Sequence, residues 1–209
     1  AGAAGVTLVD ARELAQPEEV GRFTHDGQKD SIAAFTDIFR LRMLAREPGW
    51  WFDTDVFCLK EAAAFAALEA RSPGLLLGKE EQNKVNNAVL YFSDTQVAAD
   101  LLARAEARAA ECGDVLDWGE LGPTLVTAYL KQNPARVLAV PEFNFYPIHY
   151  LRTSMLFSPA EAENCRQLAS QAVCVHLWNE FLRRWNVPKN VLPCAGSYLH
   201  QLFREQGMT

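Results

Sequence analysis

The sequence lacks the features that mark membrane-spanning, secreted and nucleic-acid-binding proteins. No stretch approaches the about 18 consecutive apolar residues of a membrane span, and no secretory signal is visible at the start. The formal net charge of -6 argues against a broad surface for nucleic acid, which needs many Lys and Arg side chains. We therefore expect a cytoplasmic protein with no transmembrane segment and no nucleic-acid partner.

Cysteine is scarce and irregularly spaced. The five cysteines form no C-x-x-C pair, so the sequence indicates neither a disulfide framework nor a zinc knuckle, and a reducing compartment fits best. With 209 residues, of which 49% are hydrophobic and 22% charged, the chain is long enough for one well-buried domain. We expect residues 1–209 to form that single domain.

The most chemically pointed stretch is residues 50–56, where an apolar run ends in Asp53 and Asp55. In an extended strand, the side-chain period of two would place both carboxylates on one face, roughly 7 Å apart. Like charges beside aromatic rings need a cation or a set of donors to compensate them. The pair therefore predicts a hard divalent ion, and a strand end whose aspartates face water is the alternative.

Other polar residues fall where burial is expected. Residues 31–46 are apolar almost all round, which predicts a buried helix on which Asp37 and Arg40 share a face, or simply form an intrahelical ion pair. His176 ends a predicted buried strand, as a core residue or a ligand. The glycine-rich loop around Glu120 is either an edge that contacts a ligand or a packed Trp with solvent-facing acids.

Predicted strands and helices alternate along the chain, which favours an α/β fold with a mainly parallel sheet flanked by helices. Ligands of such sheets lie beyond the carboxyl ends of strands, where Asp53, Asp55 and His176 are expected. The predicted strands are 6–10, 51–56, 75–77, 88–92, 137–140 and 172–175, and the predicted helices are 31–46, 60–71, 96–112, 123–132, 158–170 and 198–205.

Six short blocks occur in a fixed order between about residues 30 and 200: 34–42, 48–55, 87–89, 122–123, 145–147 and 175–179. Through these blocks the sequence resembles the DXD-motif glycosyltransferases of the capsular-polysaccharide and α-1,4-glycosyltransferase type, glycosyltransferase family 32. The resemblance implies a GT-A-like nucleotide-diphospho-sugar transferase fold. It also implies that a sugar moves, with retention of configuration, from a nucleotide-sugar donor, expected to be a UDP-sugar, to a glycan or polysaccharide acceptor.

The resemblance also assigns metal ligands. Asp55 would bind the ion directly, Asp53 would support it while touching the ribose or sugar, and His176 would supply a further ligand. An imidazole with carboxylate and phosphate oxygens suits Mn²⁺, or Mg²⁺ with a poorer match. The ion would stabilise the negative charge of the departing diphosphate.

The remaining carried-over roles concern the donor and acceptor. Asp37, Arg40 and Asn87 would hold the donor sugar, and the neutral amide of Asn87 would stabilise positive charge on the sugar ring. Glu120 is the acid expected on the acceptor side. Two further residues, Lys189 and Ser197, are expected to contact the diphosphate, because Ser197 begins the last predicted helix and a helix N-terminus with a nearby Lys can hold phosphate.

One departure from the family pattern concerns the strand and helix that receive the nucleotide base, which would precede Ala1. We therefore expect an N-terminally incomplete domain that lacks the first nucleotide-binding strand, and a non-catalytic sugar- or nucleotide-binding module is an alternative. An aspartate-nucleophile phosphohydrolase fits less well. Phe57 stands where that class usually has Thr or Val, and His176 would have no task.

Overall fold

The computed structural model describes residues 7–25, 32–188 and 191–208. In this part of the chain the helices are α1 Ile32–Arg46, α2 Ala62–Glu69, α3 Thr95–Glu111, α4 Leu125–Gln132, α5 Ala162–Leu168, α6 Asn179–Arg184 and α7 Tyr198–Glu205. The strands are β1 Thr24–His25, β2 Gly49–Phe52, β3 Val56–Cys58, β4 Leu75–Glu81, β5 Lys84–Phe92, β6 Val115–Leu116, β7 Val137–Val140 and β8 Cys174–His176.

The central sheet is mixed, in the order β2-β5-β4-β7. Strand β5 pairs antiparallel with both β2 and β4, and only β4 with β7 is parallel. The prediction of a mainly parallel sheet is therefore wrong. The strands β4 and β5 are joined by the two-residue turn 82–83. They pair antiparallel because so short a connection cannot join parallel strands.

Helices and loops cover both faces of this sheet. Leu75 and Leu77 point into one apolar cluster with α1, α3 and α4, whereas Leu76 points into the opposite cluster with Phe145. All three leucines are fully buried, as the side-chain period of a strand covered on both faces requires. The α/β class is confirmed, and the arrangement is compatible with a GT-A-like fold.

A third apolar cluster lies towards the C-terminus. Helices α5 and α7 pack there against residues 150–157, through side chains such as Cys165, Leu156 and Leu199. Val175 of β8 belongs to this cluster, and it is fully buried. The packing therefore fixes the strand that carries His176.

The predicted strand 51–56 is two strands separated by a turn. Strand β2 ends at Phe52, and the amide of Val56 donates to the carbonyl of Asp53 at 3.0 Å. The predicted strand 6–10 is also wrong over its described part, because residues 7–10 have no regular secondary structure.

Three long helices agree with prediction to within one residue at each described end, at 32–46, 95–111 and 198–205. Leu125, rather than Pro123, begins α4, because a π-helical turn, Glu120–Thr124, precedes it. Within the described residues, no helix combines the length and the apolar character needed to cross a membrane.

Candidate active site

A cleft of about 610 Å³ opens along the edge where α1, the turn after β2, the β4–β5 hairpin, the 116–123 segment and α6 meet. Its lining combines acidic, basic, amide and aromatic side chains from stretches far apart in the sequence. Seven of the predicted site residues line it, namely Asp37, Arg40, Asp53, Asp55, Asn87, Glu120 and His176.

The turn after β2 brings the two aspartates and His176 together. The amide of Asp53 donates to the carbonyl of Ala88 at 2.8 Å, which anchors the turn to β5. Strand β3 then pairs antiparallel with β8, in a register that places Val56 opposite His176. The carbonyl of Asp55 accepts from the amide of Leu177 at 2.9 Å, so the chain holds Asp55 beside the histidine ring.

We call Asp53, Asp55 and His176 the Asp–His cluster. The Nε2 atom of His176 is 3.2 Å from Oδ2 of Asp55, and one ligand atom from each of the three residues lies within 4.8 Å of the others. Two ligands that bind one ion at about 2.1 Å can be at most about 4.2 Å apart, so side-chain shifts of some tenths of an ångström would suffice. Two carboxylates and an imidazole therefore fit Mn²⁺, and Mg²⁺ less closely.

The cluster keeps unused capacity for a ligand. His176 is 8% exposed and its ring lies against Trp178, with centroids 4.2 Å apart. Its Nδ1 atom is buried and has no hydrogen-bond partner among the described residues. Burial by itself would raise the pKa of Asp55, but the hydrogen bond and charge of His176 and the amide of Asn179 outweigh it and lower that pKa. Asp55 is therefore anionic at neutral pH.

Asp37, Arg40 and Asn87 form a second group, which we call the Arg40 network. The Arg40 guanidinium donates to the carbonyl of Asn87 at 2.5 Å and lies 3.4 Å from Oδ1 of Asp37. It also lies 3.3 Å from Oδ1 of Asp53 and 5.0 Å from the centre of the Trp51 ring. The intrahelical ion pair is therefore one part of a larger network that also holds the acidic turn.

Gly122 allows the network to close. Asn87 donates from Nδ2 to Oδ1 of Asp37 at 2.7 Å, and the backbone of Gly122 packs directly on this pair. A Cβ atom at Gly122 would lie 2.5 Å from Nδ2 of Asn87 and 2.6 Å from Oδ2 of Asp37, closer than real Cβ contacts. Only a glycine fits without displacing both side chains. The sequence marked Gly122 only as part of a motif and gave no sign of this contact.

Glu120 lines the cleft with both oxygens engaged. Its Oε2 accepts from the amide of Asp117 at 2.8 Å, and its Oε1 accepts from Arg108 of α3 at 2.5 Å. The backbone hydrogen bond and the Arg108 charge lower the pKa of Glu120, against the smaller opposing effect of burial. In the structure this carboxylate fastens the loop to α3, and its expected role towards an acceptor stays a prediction.

Of the two expected phosphate contacts, Ser197 is described, and the structure does not bring it to the cleft. Ser197 lies outside the cleft lining, is fully buried, and accepts from the amide of His200 at 3.3 Å as the cap of α7. Lys189 lies outside the described residues.

Comparison with known proteins agrees with this chemistry. Residues 114–204 match the sequence model described as the alpha 1,4-glycosyltransferase conserved region. This segment of the chain is therefore similar to the α-1,4-glycosyltransferase family. The matched segment contains Glu120 and His176, whereas Asp53 and Asp55 lie before it.

One curated protein to which the chain is similar is lactosylceramide 4-alpha-galactosyltransferase from Rattus norvegicus. It is 28% identical over 160 residues, which cover 71% of this chain. The chain spans only 41% of that relative's length. No solved structure matches the chain.

Sequence reasoning named no site role for several other side chains in the cleft. Glu80 and Asn86 line it from the β4–β5 hairpin, and Arg184 lines it beside Trp118, with the guanidinium 4.9 Å from the indole centre. Trp118 belongs to the loop around Glu120 that was expected as an edge that contacts a ligand. In the sequence, Glu80 stands in the polar run 79–84, a pattern typical of an exposed hairpin. The signal in the sequence was the group Asn83, Asn86 and Asn87 before the predicted strand 88–92, because asparagine side chains can bind sugar hydroxyls.

Proposed function

We propose that this chain transfers a sugar from a UDP-sugar to a glycan hydroxyl, with a divalent ion bound and with retention of anomeric configuration. The observation that supports it most is the convergence of the Asp–His cluster and the Arg40 network on one cleft. The similarity to this family supports glycosyl transfer. Retention rests on the resemblance of the sequence motifs alone.

The Asp–His cluster would hold the ion, Mn²⁺ in preference to Mg²⁺. Such an ion, when bound, supplies Lewis-acid stabilisation of the negative charge on the departing diphosphate. Asp55 offers a permanent negative charge, because its pKa is lowered in the folded protein. The Arg40 guanidinium, 3.3 Å from Asp53, fixes the second carboxylate in place before any ligand arrives.

The Arg40 network would orient the transferred sugar. The Asp37 carboxylate and the Asn87 amide line the cleft and hold each other through one hydrogen bond at 2.7 Å. A carboxylate has about four acceptor positions and an amide two donor hydrogens, so each keeps capacity for sugar hydroxyls. Arg40 itself is 5% exposed, and it acts as a positioning residue for these two side chains and for Asp53.

The curated relative suggests the first substrates to test. Its name assigns galactose as the transferred sugar and lactosylceramide as the acceptor. We therefore propose UDP-galactose as the first donor. We also propose a glycolipid as the first acceptor to test, before the polysaccharide expected from the sequence resemblance.

A donor screen tests the proposal. Wild-type protein is incubated with a panel of nucleotide sugars in Mn²⁺ without acceptor, and release of the nucleoside diphosphate is measured. We expect slow hydrolysis of a UDP-sugar that stops in excess chelator and in Asp55→Asn. The matched control is Asp100→Asn, which removes a carboxylate that pairs with Arg136 away from the cleft.

Two results would contradict the proposal. Neither binding nor turnover of any nucleotide sugar in Mn²⁺ would favour the non-catalytic module. Metal-dependent release of inorganic phosphate from sugar phosphates, with no nucleotide turnover, would favour the phosphohydrolase.

A further inference from the structure

Glu80 is a buried carboxylate in the cleft that the proposed function leaves without a task. Its side chain is 7% exposed, and it lines the same cleft as the Asp–His cluster. Carboxylates are almost never this buried without a specific reason, because removing the charge from water is unfavourable. A local irregularity of the β4–β5 ladder coincides with its position.

Glu80 lies in a β-bulge beside the cleft. Lys79 is paired with Val85 and Glu81 with Lys84, so Glu80 is the extra residue between two successive pairs of the β4–β5 ladder. A second irregularity lies between Leu77 and Gly78 on the same strand. Bulges re-aim side chains and are over-represented beside active sites. Glu80 is the bulged residue and lines the cleft.

The neighbours of Glu80 fix its orientation and leave acceptor capacity. Asn86 accepts the amide of Ala88 on its Oδ1 at 2.7 Å, so its NH₂ group must be the side that meets Oε2 of Glu80 at 2.5 Å. Lys84 donates to Oε1 at 3.1 Å. Each carboxylate oxygen therefore receives one hydrogen bond here, and about two acceptor positions remain for a ligand in the cleft.

Glu80 lies across the sheet from the Asp–His cluster. Strand β5 separates β2, which ends beside Asp53, from β4, so the two backbones are about 10 Å or more apart. A sugar joined to a metal-bound diphosphate can bridge such a span. Asp53 and Glu80 line the same cleft.

A hairpin ion pair with Lys84 does not by itself account for Glu80. The Lys84 side chain is 46% exposed, and such a pair forms equally well with an exposed acid at less desolvation cost. The hydrogen bond from Asn86, the bulge and the burial together describe a positioned acceptor.

We propose that Glu80 determines donor specificity: its carboxylate, oriented by Asn86, accepts hydrogen bonds from hydroxyl groups of the transferred sugar. This inference rests on the proposed function and adds the group that distinguishes one sugar from another. A site built to accept from a hydroxyl rejects a donor that lacks or inverts it. Glu80 would thus contact the sugar and not the diphosphate.

Calorimetric titration in Mn²⁺ separates the two contacts. UDP, the preferred UDP-sugar and its deoxy analogues are titrated into wild type, Glu80→Gln and Glu81→Gln, the last a matched change at the next residue, outside the cleft lining. In Glu80→Gln we expect unchanged UDP affinity and about tenfold or greater loss for the UDP-sugar. The deoxy analogue that lacks the contacted hydroxyl should bind wild type and Glu80→Gln equally, and Glu81→Gln should match wild type throughout.

The outcomes distinguish the inference from the proposed function. If wild type binds neither UDP nor a UDP-sugar in Mn²⁺, the proposed function fails and the inference with it. If wild type binds both and Glu80→Gln keeps the same affinity ratio, only the inference is overturned. A raised acceptor KM with unchanged donor binding would also overturn it.

A second variant guards against misfolding. Glu80→Asp keeps the charge and withdraws it by one methylene, so it should fold and show donor selectivity intermediate between wild type and Glu80→Gln. Selectivity identical to wild type in every folded variant would contradict the inference.

Discussion

The two sides of the cleft use their polar groups differently. In the Asp–His cluster, the aspartate side chains are 18% and 29% exposed and the buried Nδ1 of His176 has no partner among the described residues. In the Arg40 network, the guanidinium is divided among two carboxylates and a backbone carbonyl, and its side chain is 6% exposed. The Asp–His cluster keeps polar atoms that can bind a ligand, whereas most polar groups of the Arg40 network already bind one another.

This contrast separates function from stability. Substitutions in the cluster should cost ligand binding and leave the fold nearly unchanged. Substitutions in the Arg40 network should mainly lower the free energy of unfolding, because they remove the partners of buried charges or disturb close packing.

The largest expected effect is that of Arg40→Met. It removes the guanidinium that lies 3.4 Å from the Asp37 carboxylate, whose side chain is 12% exposed, so we expect a loss of about 3–5 kcal/mol in the free energy of unfolding. Urea denaturation measures it, with Arg46→Met on the same helix as the control. The double variant Asp37→Leu with Arg40→Met should recover part of the loss. Equal stability of Arg40→Met and wild type would remove the contrast between the two sides.

Replacing Gly122 by alanine should have the next largest effect. The added Cβ would lie 2.5–2.8 Å from the Asn87 amide and the Asp37 carboxylate, so the pair must separate. We expect a loss of about 1–3 kcal/mol in denaturation experiments, together with weaker binding of the UDP-sugar. A variant as stable and as active as wild type would show that the Asp37–Asn87 contact is not needed.

For the Asp–His cluster we expect the opposite behaviour. His176→Ala should weaken Mn²⁺-dependent UDP binding by at least the about 10- to 100-fold that loss of a supporting residue costs in metal sites. Its melting temperature should fall less than that of Arg40→Met, because the ring gives up one contact with Asp55 and its Nδ1 has no partner among the described residues. Titration and thermal melting of the same sample check both. A large stability loss with unchanged metal affinity would identify His176 as a core residue.

The smallest expected effect is a pH dependence. The pKa of Asp55 is lowered in the folded protein, so its contribution to stability is complete above the ordinary value of 3.8 and is lost as pH falls through the lower folded value. Melting curves in chelator from pH 6 downwards should therefore show a decline in acid that is shallower in Asp55→Asn. Parallel curves for both proteins would contradict the assigned hydrogen bonds.

Local patterns predicted part of this molecule well. The helix 198–205 has the same bounds in the structure as in the prediction, because periodicity and a serine cap are properties of adjacent residues. Local patterns did not predict that β4 and β5 pair antiparallel. The turn at 82–83 contains Gln82 and Asn83 but no glycine or proline, so the usual hairpin signal is missing.

The sequence predicted which residues lie in the candidate site better than it predicted how they are arranged in space. Asp53 and Asp55 were placed on one extended strand, yet a turn and the β3–β8 register bring them to His176. That register depends on contacts between residues about 120 positions apart, which no local pattern contains. Glu80 was missed because it stands in the polar run 79–84, a pattern typical of an exposed hairpin, whereas the folded hairpin buries it beside the cleft.

The most direct test of the Asp–His cluster is pulsed electron paramagnetic resonance of Mn²⁺ bound with UDP. Wild-type protein should show coupling between the ion and an imidazole nitrogen, and His176→Ala should lose that coupling while its other histidines remain. Nitrogen coupling that persists in His176→Ala, or wild-type protein that binds no Mn²⁺ with UDP, would contradict the assignment of this cluster as the metal site.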